Sequence, residues 1–483
     1  MLLVALLVLV VQAPFPSIPS NANVISRMAL VEAIVEEGHT RIDARQEMTI
    51  DKAYANGHYY SDKAPGMSLL AVPAYAVASS FFEAVGYSGI DPFRDKDDRL
   101  PDYYGGLLMS KLMVLSTSGL FTILASLALY RVSLPLVRGD PVPAAMTALT
   151  MALATPMLFW GIEFFGHAAA GGALFVAFAS IWLMRERLEE GRRGAGWLAA
   201  LAGLMMALAI AVEYISAPVC VLIGAYGVWQ CRDLNPAQTA RLLILAVGAC
   251  IIGILPLLYY HTVTFGGPFT VGYDNLEGWE GMDEGFHGLT APDPGVLYQI
   301  IFSQYRGILW LSPILALVPV GAVMLWRRMP LYRVEIGLCV LVMVYYLLLN
   351  SSYYYWHGGG STGPRHITPA LPFMALLLIP LWRDAGRFMS RVAAVLFALG
   401  AAACLAVVNV NHLAGEDQPF PLWDPVILGL FQGNTMWYWW DRWYFDENVI
   451  FALWLLASGG VAFLLIRRLR SMGPEDGGDP GEA

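Results

Sequence analysis

Residues 49–82 read TIDKAYANGHYYSDKAPGMSLLAVPAYAVASSFF. The first half packs Asp51, Lys52, His58, Asp62 and Lys63 with Tyr54, Tyr59 and Tyr60 into a short polar island, and the second half turns abruptly apolar. Carboxylates and ammonium groups beside lipid are costly to hold there, so they mark a site more often than they decorate a surface. A carboxylate at a bilayer edge takes a proton from a hydroxyl. A lysine there neutralises a phosphate. The bland alternative is a solvated loop whose charges only keep it out of lipid.

The surrounding chain decides the class. Its 483 residues are 57% hydrophobic and 14% charged, against about 45–50% apolar and about 25% charged in soluble domains. Apolar runs of about 17–25 residues recur, each long enough to cross a bilayer. The expected fold is all-α and polytopic: one bundle of about twelve transmembrane helices (roughly eleven to thirteen) over residues 1–470, with a large first outer loop carrying juxtamembrane helices. The net charge of −9 leaves no basic surface for nucleic acid. The five cysteines lie in or at the ends of apolar segments, which speaks against a disulfide framework.

The opening MLLVALLVLVVQAPFPS lacks a basic leader and a small-residue cleavage site, so it reads as a tilted first helix. Asn21–Gly38, NANVISRMALVEAIVEEG, repeats apolar residues at helical spacing opposite Glu32, Glu36 and Glu37. That pattern predicts an amphipathic helix on the membrane surface, stopped by Gly38. Further spans are expected near 105–130, 143–160, 168–184, 196–212, 217–231, 241–262, 307–326, 334–350, 367–382, 391–410 and 448–466. Arginines cluster in alternate loops, which assigns those loops and both termini to the cytoplasm. The opposite loops are 13–104, 161–167, 213–216, 263–306, 351–366 and 411–447. This alternation holds only if 66–88 does not cross, so that run is expected as a re-entrant or surface-lying hairpin. The acidic, Gly/Pro-rich tail 471–483 is expected to be disordered.

Three outer segments carry chemistry. In the polar island, Asp51 or Asp43 is placed to act as general base, and Lys63 to neutralise a phosphate leaving group. Tyr353–Phe373, YYYWHGGGSTGPRHITPALPF, combines glycines that let backbone approach a ligand with Arg365, which suits bidentate phosphate binding. His366 follows at once. In WGIEFFGHAA, Glu163 and His167 stand four apart, so on a helix they would share a face and reach an acceptor or a divalent ion, although two ligands are a weak metal signal. The loop 263–306 offers Tyr273, Trp279, His287, Tyr305 and Arg306 as a carbohydrate platform. The aromatic segment 433–448 reads as an interfacial belt.

SRMALVEAIVEEG followed by YYSDKAPGMSLLAVPAY resembles the first outer loop of the GT-C superfamily of membrane glycosyltransferases, which includes protein O-mannosyltransferases and the lipid A aminoarabinose transferase. The W-x-G-G…G-P-R pattern near Arg365 resembles bacterial members. The resemblance implies an inverting glycosyltransferase that takes sugar from a polyprenyl-phosphate donor to an acceptor hydroxyl on a lipid, glycan or protein, at the outer face of a bacterial inner membrane. It matches Arg27 to the surface-helix arginine and Asp62-Lys63-Ala64-Pro65 to the segment that contacts donor phosphate; His58 joins that donor set. Where the superfamily carries its catalytic Asp, this chain has Asn21, Ala22, Asn23 and Val24. That departure keeps a flippase for lipid-linked sugar, or an inactive subunit, as alternatives. No cofactor is implied beyond an optional divalent metal.

Overall fold

The computed structural model describes residues 1–472, apart from 16, 18, 20, 88–90, 94–99, 277–278 and 437–446. The tail from 473 and most of the aromatic segment 433–448 therefore lie outside the described residues. Among the described residues nine helices are long and apolar enough to cross a membrane, and three shorter apolar helices accompany them. The chain is an all-α polytopic membrane protein. At its centre run 166–189 and 365–383, each 89% buried along its apolar window. Small residues allow this: at Gly171 an added Cβ would stand 2.7 Å from the Pro369 backbone.

The first outer loop is built on three elements. Helix α1 (Leu2–Gln12) leads into it, and α2 (Ala22–Glu32) opens it. Asn21 caps α2, its side chain accepting from the Asn23 amide at 3.0 Å. A π-turn over Ala33–Glu37 and Gly38 at φ 71° close it where expected. The expected surface helix differs in one respect: residues 23–31 are all buried. Ser26, Arg27 and Asn23 make its other side polar, and the following segments cover that side.

Next comes a hairpin the periodicity did not announce, β1 (Lys52–Ala55) against β2 (His58–Ser61), with Lys52 opposite Ser61. Its turn is Asn56-Gly57, at φ 54° and 84°. Positive φ at both turn residues suits the right-handed strand twist, and Asn-Gly meets that need at least strain.

Helix α3 (Gly66–Ala84) is a single helix, not a hairpin. It is one of the nine helices long and apolar enough to cross a membrane, and it packs beside α2. Ser68 Oγ donates to the Arg27 carbonyl at 2.8 Å and Ser79 Oγ to Glu36 at 2.9 Å, so α3 runs beside α2 along its length. Beyond it, Asp91 pairs with Arg45 at 2.7 Å, which also holds Glu32. Pro73 within α3 causes no break. The next long helix, 105–136, is pinned by Lys111, whose ammonium donates to the carbonyls of Gln12 and Phe15 at 2.8 and 2.7 Å.

The expected span 307–326 is not one helix. It breaks into Ile308–Leu311, Pro313–Leu317 and Val318–Arg328. Pro313 lacks an amide hydrogen, and Ser312 before it leaves helical geometry at φ −139°, ψ 66°. Nine long apolar helices, three shorter ones and this broken run make up the apolar elements of the described residues.

Candidate active site

The hairpin explains how residues far apart in the polar island meet. Pairing Lys52 with Ser61 brings the flanking Asp51 and Asp62 together just past the last rung. Lys63 follows and reaches back to both: its Nζ lies 2.8 Å from Asp62 Oδ2 and 3.1 Å from Asp51 Oδ2. Arg27 braces the same stretch from α2. Its guanidinium donates to the Ala64 carbonyl at 3.0 Å, to Asn23 Oδ1 at 2.9 Å and to Glu213 at 3.4 Å. Arg27 thus ties α2 to the Asp62–Pro65 stretch and to Glu213.

A cleft of about 200 Å³ opens over this cluster. Asn21, Asn23, Asp51, Asp62 and Lys63 line one side, and Tyr273, Trp279, Tyr353, Tyr355, Arg365 and Glu416 line the rest. The loop carrying Tyr273 is drawn in by a bridge from Leu276 to Ala53 and lies on Asp62 at Gly272, where a Cβ would stand 2.7 Å from the Asp62 backbone. The Tyr273 ring then faces Lys63, 5.9 Å from Nζ to centroid. Trp279 Nε1 donates to the Ile50 carbonyl at 3.3 Å and its ring meets Tyr355 edge-on at 5.4 Å.

Arg365 closes the cleft from the glycine-rich segment. Its guanidinium stacks 5.1 Å over Phe165, and among the described residues its buried Nε has no hydrogen-bond partner. Gly358, at φ 75°, makes room for it: a Cβ there would stand 2.9 Å from that Nε. The segment is held by Arg306, only 1% exposed, which donates to the carbonyls of His357 and Gly359 at 3.0 Å each and of Gly415 at 3.4 Å. Arg306 and Tyr305 were expected on a sugar platform. They act instead as the tie between two loops, with Tyr305 Oη donating to the Glu416 carbonyl at 2.9 Å.

Burial pushes the Asp62 carboxyl up to about 6, against the pull of Lys63 and with the push of Asp51. Burial alone would lower the Lys63 ammonium, but Asp51 and Asp62 reverse this and hold it above the usual lysine range. The two carboxylates and one ammonium thus make a partly desolvated, net anionic knot, and Arg365 brings the second cation to the same cleft.

Other candidates fall elsewhere. Asp43 and His58 lie outside the cleft and pair with each other at 2.7 Å, with Asp43 also capping the Tyr59 amide. Glu163 and His167 do not share a helix face, because the helix begins at Gly166. Glu163 turns to His412 at 2.6 Å and Ser17 at 2.5 Å, knitting three outer segments together. His167 faces Glu213 at 3.7 Å and the His366 ring at 5.2 Å. His366 is buried behind the cleft wall, against Tyr353 at 5.3 Å. His287 sits beside Asp274 at 3.7 Å, outside the lining. Among the described residues no group of three or more His, Cys, Asp or Glu side chains is placed to hold a metal. Sequence reasoning missed Glu416, which lines the cleft and accepts from Tyr355 Oη. Its only signal was an acid inside an aromatic loop.

No protein-family model and no curated protein matches the sequence. Solved structures do. ArnT from Cupriavidus metallidurans in the apo state superposes with TM-score 0.52 at 14% identity, over 97% of this chain and 72% of that one. The chain shares the fold of that structure. ArnT bound to undecaprenyl phosphate gives 0.47 at 16% identity over 97% and 72% of the two chains. The Archaeoglobus fulgidus oligosaccharyltransferase in its apo form gives 0.46 at 11% identity over 94% of this chain and 59% of that one. The cleft sits between the first loop and the loops after the later helices, and Asn21, Ala22, Asn23 and Val24 beside it carry no carboxylate.

Proposed function

We propose that the protein is an inverting glycosyltransferase that moves a sugar from a polyprenyl-phosphate donor to an acceptor hydroxyl at the outer face of a membrane. The observation that carries this reading is the convergence of Lys63 and Arg365, from segments far apart in sequence, on one cleft that also holds a carboxylate. Two cations suit a phosphate whose charge grows as the sugar leaves. Asp51, the one of the two sequence candidates that faces the cleft, takes the acceptor proton. The acceptor oxygen forms a bond to the anomeric carbon from the face opposite the phosphate. The bond from that carbon to the phosphate oxygen breaks, and its electron pair stays on the phosphate. Polyprenyl phosphate and the glycosylated acceptor result. The prenyl chain, held in lipid, supplies orientation without a nucleotide.

The test is to incubate purified protein with polyprenyl-phosphate sugar and measure released polyprenyl phosphate. Asp51→Asn should abolish release and Asp43→Asn should preserve it. Movement of intact donor across the bilayer, with no cleavage, would replace the enzyme reading with a flippase.

A further inference from the structure

An anion already shares the cleft with both cations. The Asp51 carboxylate is 3.1 Å from Lys63 Nζ, and Arg365 lines the same cleft. Lys63 is the only partner of that carboxylate among the described residues. The second anion differs. Asp62 is 1% exposed, is sealed by the Gly272 backbone, and sits closer to the lysine, at 2.8 Å. Asp51 stands just before β1 and lines the cleft, 6% exposed.

We propose that Asp51 is the resident counter-ion of the donor site, and that the donor's phosphate displaces it from Lys63. This rests on the reading of Lys63 and Arg365 as a phosphate grip. A phosphate and the Asp51 carboxylate cannot both face one ammonium that Asp62 already shares, because like charges in a desolvated pocket repel strongly. The exchange gives Asp51 its task. Bound to Lys63, the carboxylate oxygen is engaged by the ammonium. Displaced by donor, it is free to accept the acceptor's proton, so no competent base exists until donor is in place. After transfer, loss of that proton to water restores the carboxylate, which returns to Lys63 and competes the product phosphate away. The geometry thus implies donor binding ahead of chemistry and a built-in aid to product release.

The exchange makes an unusual demand: removing the base must tighten binding. The probe is undecaprenyl phosphate, titrated against the full chain in lipid nanodiscs, with Kd read by tryptophan fluorescence. Asp51→Asn should bind it roughly tenfold or more tightly than wild type, since one competing charge is gone, while releasing no polyprenyl phosphate from donor. Asp51→Ser provides the same comparison if the amide variant folds poorly. Asp43→Asn should leave Kd unchanged. Weaker or equal binding by both Asp51 variants, with wild-type binding still dependent on Lys63, would overturn the exchange alone. Equal binding by wild type and Lys63→Met would remove the phosphate grip itself, and the exchange with it.

Discussion

Lys63→Met tests the ion knot in the absence of any ligand. The substitution removes an ammonium that lies 2.8 and 3.1 Å from two carboxylates, and it leaves methylene bulk of similar length. Removing one partner of a buried pair typically costs about 3–5 kcal/mol, because the other charge stays buried without compensation. Here the cost depends on pH. Burial already pushes Asp62 up to about 6. A carboxyl whose folded pKa is raised binds more protons folded than unfolded, so its contribution to stability is greatest at low pH and is lost as pH rises through the folded value. Without Lys63 the attraction that opposes burial disappears, and Asp62 rises further. At pH 5.5 the variant therefore protonates Asp62 and escapes most of the penalty. At pH 8 it carries more of it. Thermal unfolding in detergent, followed by tryptophan fluorescence, should show a drop of several degrees at pH 8 and a smaller drop at pH 5.5. The same unfolding temperature as wild type at both values would refute the ion knot as drawn. A large drop that does not vary with pH would refute the assignment of the titration to Asp62.

Other outcomes follow from the same contacts. Arg365→Ala should leave folding intact, because its Nε has no partner to lose, yet lower the release of polyprenyl phosphate by at least roughly a hundredfold, the scale of one donor removed from a developing charge. Glu416→Gln should slow transfer more than it weakens undecaprenyl phosphate binding, since Glu416 lines the cleft beside Tyr355 instead of on the cations; steady-state kcat against Kd separates the two. Arg306→Met should free the 357–360 loop, and limited proteolysis there should accelerate, with a stability loss of about 3 kcal/mol or more from stranded buried carbonyls. Replacing Gly57 by Val should strain the turn at φ 84° and reduce transfer by displacing Asp51 relative to Lys63, with the bundle's unfolding temperature little changed.

Hydrophobic runs made the bundle legible, because crossing a bilayer imposes a length that composition alone reveals. The same logic misread 307–326, where mean apolarity hides the proline at 313 and the non-helical Ser312 that break the helix. For 66–88, loop parity argued for a hairpin, but parity carries no information about shape: the segment is one helix, tied to α2 through Ser68 and Ser79, and it is among the nine long and apolar enough to cross. Within the site, Lys63, Asp51, Asp62, Tyr273 and Arg365 were legible from their chemical type and their position at the edges of apolar runs. Which of them touch was not. Asp43 is eight residues from Asp51, yet the hairpin sends the first to His58 on the outside and the second to Lys63 within. That sorting depends on a two-residue Asn-Gly turn, whose register sets both faces at once. Glu163 and Arg306 were misassigned for a related reason. A buried charge that binds loops together has the same residue type and the same loop address as one that binds substrate, and only its partners tell them apart: His412 and Ser17 for Glu163, four backbone carbonyls for Arg306. Asp51 shows the opposite case. Among the described residues its carboxylate has one partner, Lys63, and a carboxylate held that way exchanges partners more readily than one held by several donors.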